Sequence, residues 1–451
     1  MNKQNTANNS KKTKLAVAVT VGFCWAWLPF IDAAAISNNK FIATLITLFV
    51  YAVIVTLQSY VAYTCYKLFQ KYKPAQNWTQ LASVFLVSSF LLWFLAWISC
   101  FIWYGEGASI DNVLPFTSLT PFIVYTPLKY LVQLFGFYGT TAVFTTLAYA
   151  IFKQRWRRGV AVIGIGILLS NVLLWAAYKT PNGQNITVHI SSQQLASPTH
   201  IKSDANLLLL PEYGLDDITN DNLSSRVSGN PQTAFIGSKQ TYTNQGNQNT
   251  LLYGTVGLGI LEEHQKSRLI VGGEYLAYTV EPWLKLLSPN TVTNFEVSRK
   301  VLRGNEGVKT IALSNGIVVG PAVCSSILST EDYRSLTRQG AGLLTNSASL
   351  EIFRGSRLFD IQHRGFATFM AVSNARPFAQ SSNNWPAFAL DHQGKLVVEI
   401  LPTSDRVITV QTNSKKTPYT LLGEWPVVLG ALLIVASIAQ KLRNRHRKTT
   451  P

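Results

Sequence analysis

The chain has 451 residues, 47% of them hydrophobic and 14% charged, with a formal net charge of +17. That much apolar side chain beside so little charge excludes an ordinary soluble protein, and the length leaves room for two or three units.

The apolar excess comes in blocks. Uncharged stretches run from Leu15 to Ile31, Phe41 to Tyr66, Gln76 to Gly105, Val132 to Phe152, Gly159 to Tyr178 and Trp425 to Gln440. A bilayer core of ~30 Å needs about 20 helical residues, so the pattern predicts five membrane helices before residue 180 and one after 420, the last borrowing flanking residues. Lys11, Lys12 and Lys14 precede the first stretch as in a signal peptide, but Pro29 and Asp32 stand where a small-residue cleavage site belongs, and another span follows at once. An anchor is expected there. Leu114 to Leu131 holds Pro115, Pro121 and Pro127, which favours a kinked or interfacial piece over a further span.

The positive charge sits at the ends of these blocks. Lys3, Lys11, Lys12 and Lys14 precede the first, and Lys67, Lys71 and Lys73 follow the second. Lys153, Arg155, Arg157 and Arg158 follow the fourth, and Lys441, Arg443, Arg445, Arg447 and Lys448 follow the last. With six crossings from an inside start, all four clusters fall on the cytoplasmic side and the large polar segment falls outside. The basic balance therefore needs no nucleic-acid partner. The expected organisation is a basic cytoplasmic N-terminus (1–14), a membrane domain of about five helices (15–179), an extracytoplasmic α/β domain (180–420), a C-terminal transmembrane helix (421–440) and a basic cytoplasmic tail (441–451).

Beyond residue 180 the pattern turns to short β-rich runs: Ile186 to Ile190, Leu207 to Leu210, Leu251 to Leu261, Lys309 to Leu313, Gly316 to Val323, Gly342 to Thr345, Phe369 to Val372, Ala387 to Leu390, Leu396 to Ile400 and Val407 to Val410. Consecutive apolar residues in several of them suit strands covered on both faces. Helical pieces lie between, at Thr330 to Gln339 and Phe359 to Phe369, and Ser329 and Thr330 ahead of Glu331 and Asp332 look like a helix start. Thr219 to Thr250 reads as a long polar loop. The alternation argues a layered α/β domain.

Three chemical groups end three of these strands. Glu212 follows Leu207 to Leu210 in PEYG, Lys266 opens KSRLIVGGEYL with Glu274 eight residues on, and Cys324 follows Gly316 to Val323. Cys324 is also the one cysteine of four outside an apolar stretch. Together they suit acyl transfer: Glu212 takes the thiol proton, Cys324 attacks an ester or amide carbonyl, and Lys266 holds the oxyanion with a backbone N–H, that of Ser325. Taken singly, each has an ordinary reading as a solvated acid, a surface lysine, its salt-bridge partner Glu274 and an inert buried thiol.

The ordered set resembles the nitrilase (carbon-nitrogen hydrolase) superfamily and, with helices on both sides, its membrane-embedded apolipoprotein N-acyltransferase branch. PLKYLVQLFGFYG at Pro127 to Gly139, RQGAGLLTN at Arg338 to Asn346, Gln362-His363 and NNWPAFALDHQG at Asn383 to Gly394 add to the likeness. The resemblance implies an αββα sandwich, with Glu212 as base, Lys266 as oxyanion stabiliser, Cys324 as nucleophile and Glu274 as supporting carboxylate. It implies an acyl chain passing from a phospholipid through a cysteine thioester to the α-amine of a lipoprotein's diacylglyceryl-cysteine. Partners would be the phospholipid donor, the lipoprotein acceptor and membrane lipid. The sequence departs from the family pattern at Ser325 and Ser326, where the family has an aromatic residue and a glutamate; at Val271-Gly272, in place of Pro-Phe; and at Ala371 to Asn374. The segment between the first strand and Glu212 is also too short for the family's first helix. A membrane-bound carbon-nitrogen hydrolase, another lipid acyltransferase and a catalytically vestigial relative are the alternatives.

A transferase needs apolar access for lipid, which Trp283, Leu284, Leu286 and Leu287, or Phe353 and Trp385, would supply unless they pack in the core. Six scattered histidines without paired spacing predict no metal site, the glycine-rich spots lack a phosphate-binding context, and the cysteines give no disulfide framework, so no cofactor is expected.

Overall fold

A computed structural model describes residues 78–104, 118–152, 157–192, 200–216, 218–270, 273–276, 281–350, 356–383 and 385–449, with residues 52 and 56. The first two expected membrane stretches, Leu15 to Ile31 and Phe41 to Tyr66, otherwise lie outside the described residues.

Among the described residues three helices are long and apolar enough to cross a membrane: α1 (Trp78–Tyr104), then, skipping ahead, Arg157–Tyr178 and Trp425–Thr449. Their apolar windows are 20, 19 and 20 residues long, enough for ~30 Å at about 1.5 Å per residue. The Arg157–Tyr178 helix leaves Leu168, Leu169 and Leu173 57%, 58% and 69% exposed, a surface suited to hydrocarbon and not to water.

The Leu114 to Leu131 stretch is broken as its prolines require, into the single turn α2 (Thr120–Ile123) and a 3₁₀ turn at Lys129–Leu131. The fourth expected span corrects the sequence reading. Helix α3 (Val132–Phe152) is interrupted at Gly136 (φ 70°, ψ −160°), and a Cβ at that position would lie 2.8 Å from the Glu424 carboxylate. The break frees backbone groups that cannot be left unpaired in an apolar setting. Glu424 Oε1 accepts from Phe137 N at 2.7 Å and Oε2 from Tyr138 N at 3.2 Å, while the Phe137 carbonyl accepts from Ser118 Oγ at 3.0 Å and Thr120 Oγ1 at 2.5 Å. A glycine in left-handed space thus lets one helix restart against a carboxylate. Helix α4 (Arg157–Tyr178) then leads into the α/β region.

That region holds two six-stranded sheets. The strands are β1 (Asn185–Ser191), β2 (Ile201–Ser203), β3 (Leu207–Leu209), β4 (Val227–Gly229), β5 (Ala234–Thr243), β6 (Gly246–Thr255), β7 (Gly259–Gln265), β8 (Ile311–Ala312), β9 (Val318–Val323), β10 (Leu343–Ser349), β11 (Phe378–Asn383), β12 (Ala387–Leu390), β13 (Leu396–Ile400) and β14 (Asp405–Gln411). One sheet runs β14-β1-β3-β5-β6-β7, the other β13-β12-β11-β10-β9-β8, and β2 pairs with β4 apart. Strands β1, β3 and β5 are mutually parallel, as are β9, β10 and β11. The sheets pack face to face through Ile186, Val188, Ile190, Leu207, Leu209 and Ile236 on one side and Val319, Val323, Leu343, Ala379 and Ala387 on the other.

The remaining helices are α5 (Leu223–Arg226), α6 (Glu281–Leu287), α7 (Pro289–Ser298), α8 (Thr330–Arg338), α9 (Arg357–Asn374), α10 (Pro418–Leu422) and α11 (Trp425–Thr449). Helices α8 and α9 cover the outer face of the β9–β11 sheet, where Leu336, Phe366, Phe369 and Met370 share one core with Phe137 and Tyr138 of α3, Tyr419 of α10 and Val427 of α11. The apolar helices and the sandwich are therefore one packed body. On the other sheet, Leu208, Leu210, Phe235 and Leu252 are covered by Ile201, Leu215, Ile218, Leu223 and Val227, so short β2 and β4, the four-residue α5 and loop stand where an αββα sandwich has its second pair of helices.

Three local readings are corrected. Phe369 to Val372 lies inside α9, because Phe366, Phe369 and Met370 recur at helical spacing against the core. Thr219 to Thr250 is no loop; it contains α5, β4, β5 and the start of β6, whose Asn and Gln residues pair along a hairpin. Strand β11, FAQSSN, escaped notice since it is polar, yet all six residues are buried.

Candidate active site

Backbone geometry gathers the chemistry at one end of the sandwich. Glu212 follows β3 by way of Leu210, whose N–H still bonds to Ile236 O at 2.8 Å; Lys266 directly follows β7; and Cys324 directly follows β9. The carboxyl ends of β10 and β11 meet them there: Glu212 N donates to Ala348 O at 3.3 Å, and Asn383 Nδ2 donates to Glu212 O. Carboxyl ends of parallel strands are where an α/β sheet leaves loops free to build a site.

Lys266 Nζ lies 2.9 Å from Glu212 Oε1 and 2.7 Å from Glu274 Oε1, with all three side chains 6% exposed or less. Each carboxylate has a further donor, Asn249 Nδ2 to Glu212 Oε1 at 2.6 Å and Ile270 N to Glu274 Oε2 at 2.8 Å. The lysine backbone is pinned as well, since Lys266 N donates to Asn249 O at 2.8 Å and Gly304 N to Lys266 O at 2.9 Å. A buried ion cluster is tolerated only when its lone pairs and protons are met in this way.

Cys324 adopts φ 43°, a left-handed conformation that costs a non-glycine residue about 1–2 kcal/mol. It opens the 3₁₀ turn Cys324–Leu328, with Sγ 3.9 Å from Ser349 O and its own carbonyl 3.5 Å from Asn346 Nδ2. Cys324 is a free cysteine, and the residue as a whole is half-buried. Ser329 caps α8 as its sequence suggested, accepting from Asp332 N. Ser325, expected to offer a backbone N–H, also uses its side chain: Oγ donates to Arg268 O at 2.5 Å.

Electrostatics couple the four groups. Burial pushes the Cys324 thiol up and Glu212 pushes it further, with Lys266 opposing and Glu274 reinforcing. Burial alone would lower the Lys266 ammonium, but Glu212 and Glu274 outweigh it and hold the lysine well above its usual value. Glu274 is raised by burial, partly offset by Lys266. Near neutral pH these effects favour a protonated thiol and a charged lysine.

The structure brings Glu212, Lys266 and Glu274 into direct contact and sets Cys324 within electrostatic reach of all three. Sequence reasoning missed Asn249, hidden in the supposed loop, and Tyr213 (φ 63°), which interacts with all four groups and whose phenol burial raises. Of the apolar access residues, Trp283, Leu286 and Leu287 are 65%, 74% and 78% exposed on α6, whereas Trp385 is buried against Ala348, Leu350 and Phe359. Phe353 lies outside the described residues.

No family model matches the chain. Curated relatives do. The chain is similar to apolipoprotein N-acyltransferases. It is 27% identical over 232 residues to that of Vibrio vulnificus, covering 50% of this chain and 44% of the relative. It is 24% identical over 265 residues to that of Photobacterium profundum, covering 55% and 50%. The chain thus spans about half the length of the curated relatives it matches. Among solved structures, an amidase of the nitrilase superfamily from Nesterenkonia aligns with 53% of this chain and 95% of its own at 13% identity and TM-score 0.36. A CN-hydrolase superfamily protein from Xanthomonas campestris aligns with 51% and 91% at 16% identity and TM-score 0.35.

Proposed function

We propose that this protein is an apolipoprotein N-acyltransferase with a Glu212-Lys266-Cys324 centre. The observation that carries the reading is the buried cluster in which Lys266 joins Glu212 and Glu274 within electrostatic reach of a free cysteine; the similarity to curated apolipoprotein N-acyltransferases supplies the substrate class.

Because the resting thiol is protonated, it needs a base at the moment of attack, and Glu212 is that base. Two donors already occupy Oε1, so the proton goes to Oε2. The thiolate attacks the ester carbonyl of a phospholipid acyl chain. Lys266 and the Ser325 N–H stabilise the oxyanion, a role worth about 3–4 kcal/mol per donor elsewhere. The ester C–O bond breaks, the departing lysophospholipid oxygen takes the proton back from Glu212, and the acyl chain remains on Cys324 as a thioester. In the second half the α-amine of a diacylglyceryl-cysteine attacks that thioester, Glu212 takes the amine proton, and the amide forms as the thiol leaves and is reprotonated. No cofactor enters this scheme. Glu274 joins Glu212 in keeping Lys266 charged and in place.

The proposed organisation keeps the α/β domain at 180–420 outside the cytoplasm, between a membrane domain at 15–179 and a single helix at 421–440. Its support is the charge pattern: Arg157 and Arg158 open α4, and Lys441, Arg443, Arg445 and Arg447 close α11, each at the end remote in sequence from the α/β domain. Exposed Trp283, Leu286 and Leu287, a few residues beyond Glu274, are proposed as the acyl-chain contact.

Mass spectrometry of the purified protein incubated with phospholipid tests the reading. An acyl mass on Cys324 that hydroxylamine removes, absent from Cys324→Ala, supports it; a folded protein that acquires no adduct from any phospholipid overturns it.

A further inference from the structure

One buried connection ties the lysine segment to the nucleophile turn from two directions. The Arg268 guanidinium grips the Asp332 carboxylate with Nε at 3.2 and 3.1 Å from Oδ1 and Oδ2 and Nη2 at 3.0 Å from Oδ1, the two side chains being 11% and 7% exposed. The Arg268 backbone carbonyl takes the Ser325 hydroxyl at 2.5 Å. Arg268 stands two residues after Lys266, and Ser325 directly follows Cys324. Asp332 is itself fixed, because its N–H donates to Ser329 Oγ at the head of α8, the helix that follows the cysteine turn.

We infer that Arg268 and Asp332 are positioning residues that set the Lys266 ammonium relative to the Cys324 sulfur, with the Ser325 hydroxyl as the second tie. The inference rests on the nucleophile and oxyanion roles proposed above. Its logic is geometric. Glu212 and Glu274 hold the Lys266 ammonium, but neither belongs to the cysteine turn, and Cys324 sits on a left-handed residue at the tip of a strand. Neither β7 nor β9 neighbours the other in a sheet, since they belong to different sheets, so strand pairing does not set the distance between their ends. The Arg268–Asp332 fork does, because a planar guanidinium on a carboxylate fixes orientation as well as separation. A small residue at 325 is what allows the hydroxyl to reach the Arg268 carbonyl. Neither Arg268 nor Asp332 needs to touch substrate.

The test compares Arg268→Lys, Asp332→Asn and Ser325→Ala with wild type in two assays per folded site. The first is single-turnover acylation of Cys324 by phospholipid as a function of lipid concentration. The second is the pH profile of Cys324 alkylation by iodoacetamide. The expected result is an acylation rate at saturating lipid about tenfold or more below wild type for Arg268→Lys and Asp332→Asn, with the half-saturating lipid concentration unchanged, and a smaller fall for Ser325→Ala. The alkylation midpoint should move to higher pH as the lysine drifts from the sulfur. A double exchange, Arg268→Asp with Asp332→Arg, should recover part of both. Variants that melt earlier but keep the wild-type rate and midpoint per folded site would overturn the inference, reducing the pair to a structural bridge. Should wild type itself fail to acylate, the functional proposal falls, while the alkylation profile still decides whether this pair sets the lysine against the thiol. Ser325→Ala leaves the ion pair intact and keeps the test open if both charge variants fail to fold.

Discussion

Asn249 donates to the same Glu212 oxygen that Lys266 holds, at 2.6 Å, from the middle of a strand that the sequence disguised as loop. That contact holds Glu212 against the lysine and, in the proposed mechanism, leaves the other carboxylate oxygen to take the proton. Replacing Asn249 by Ala removes a buried charged hydrogen bond of about 1.5–3 kcal/mol. The expected outcome is a fall of about tenfold or more in the single-turnover acylation rate with little change in half-saturating lipid, read by mass spectrometry of quenched samples.

Glu274 is the second negative charge that holds the Cys324 thiol up. In Glu274→Gln the lysine keeps its pairing with Glu212 and its positive charge, while one carboxylate no longer opposes the thiolate. The alkylation midpoint of Cys324 should therefore move to lower pH than in wild type, a shift opposite to that expected for Asp332→Asn. Iodoacetamide rates compared at one fixed pH measure it, since a lower midpoint gives a larger thiolate fraction and faster alkylation.

His363, on α9, is buried with Nε2 2.9 Å from Gln380 Oε1, and burial lowers it from 6.5 to about 4 despite that bond. The unfolded chain then binds a proton between those values that the folded chain refuses, so stability rises with pH through this window and is lost as pH falls from 6.5 toward 4. At about 1.4 kcal/mol per pH unit the contribution is about 3 kcal/mol. His363→Gln should flatten that segment of the melting-temperature curve in detergent; an unchanged slope would mean that the imidazole is not the group responsible.

At Gly136 the chain needs positive φ, and Glu424 occupies the space a Cβ would take. Gly136→Ala should lower stability by about 1–3 kcal/mol, from backbone strain and displacement of the carboxylate that holds Phe137 N and Tyr138 N. Thermal unfolding of the purified protein in detergent reports it. Glu424→Gln keeps the size while removing the charge, and should cost less.

Trp283, Leu286 and Leu287 together changed to Ser should raise the half-saturating phospholipid concentration while leaving Cys324 alkylation by iodoacetamide untouched, since α6 carries no group of the charged cluster. Acylation titrations with short-chain and long-chain phospholipid separate the two effects, because lost apolar contact scales with the buried acyl length.

The sequence by itself determined a good deal. Long uncharged runs such as Val160 to Tyr178 declare themselves by length, because a helix of about 20 apolar residues matches the thickness of a bilayer core. Strand-end residues Glu212 and Cys324 were legible because the apolar runs Leu207 to Leu210 and Gly316 to Val323 stop abruptly at a polar or reactive group. What depended on partners far along the chain was not legible. Strand β11 looks like loop because Gln380, Ser381 and Asn383 are polar, and they are buried because Asn346 on the neighbouring strand and Ser191 and Glu212 from the other sheet bond to them. Asn249 was hidden in the same way. The break in α3 could not be read from a local apolar run, because Glu424, which makes it tolerable, lies almost three hundred residues away. The tie from Arg268 to Asp332 likewise joins the segment after β7 to helix α8, which follows β9 of the other sheet. Hydropathy and strand ends are local properties written in neighbouring residues, whereas satisfying a buried polar group requires a donor or acceptor that only the folded chain brings near.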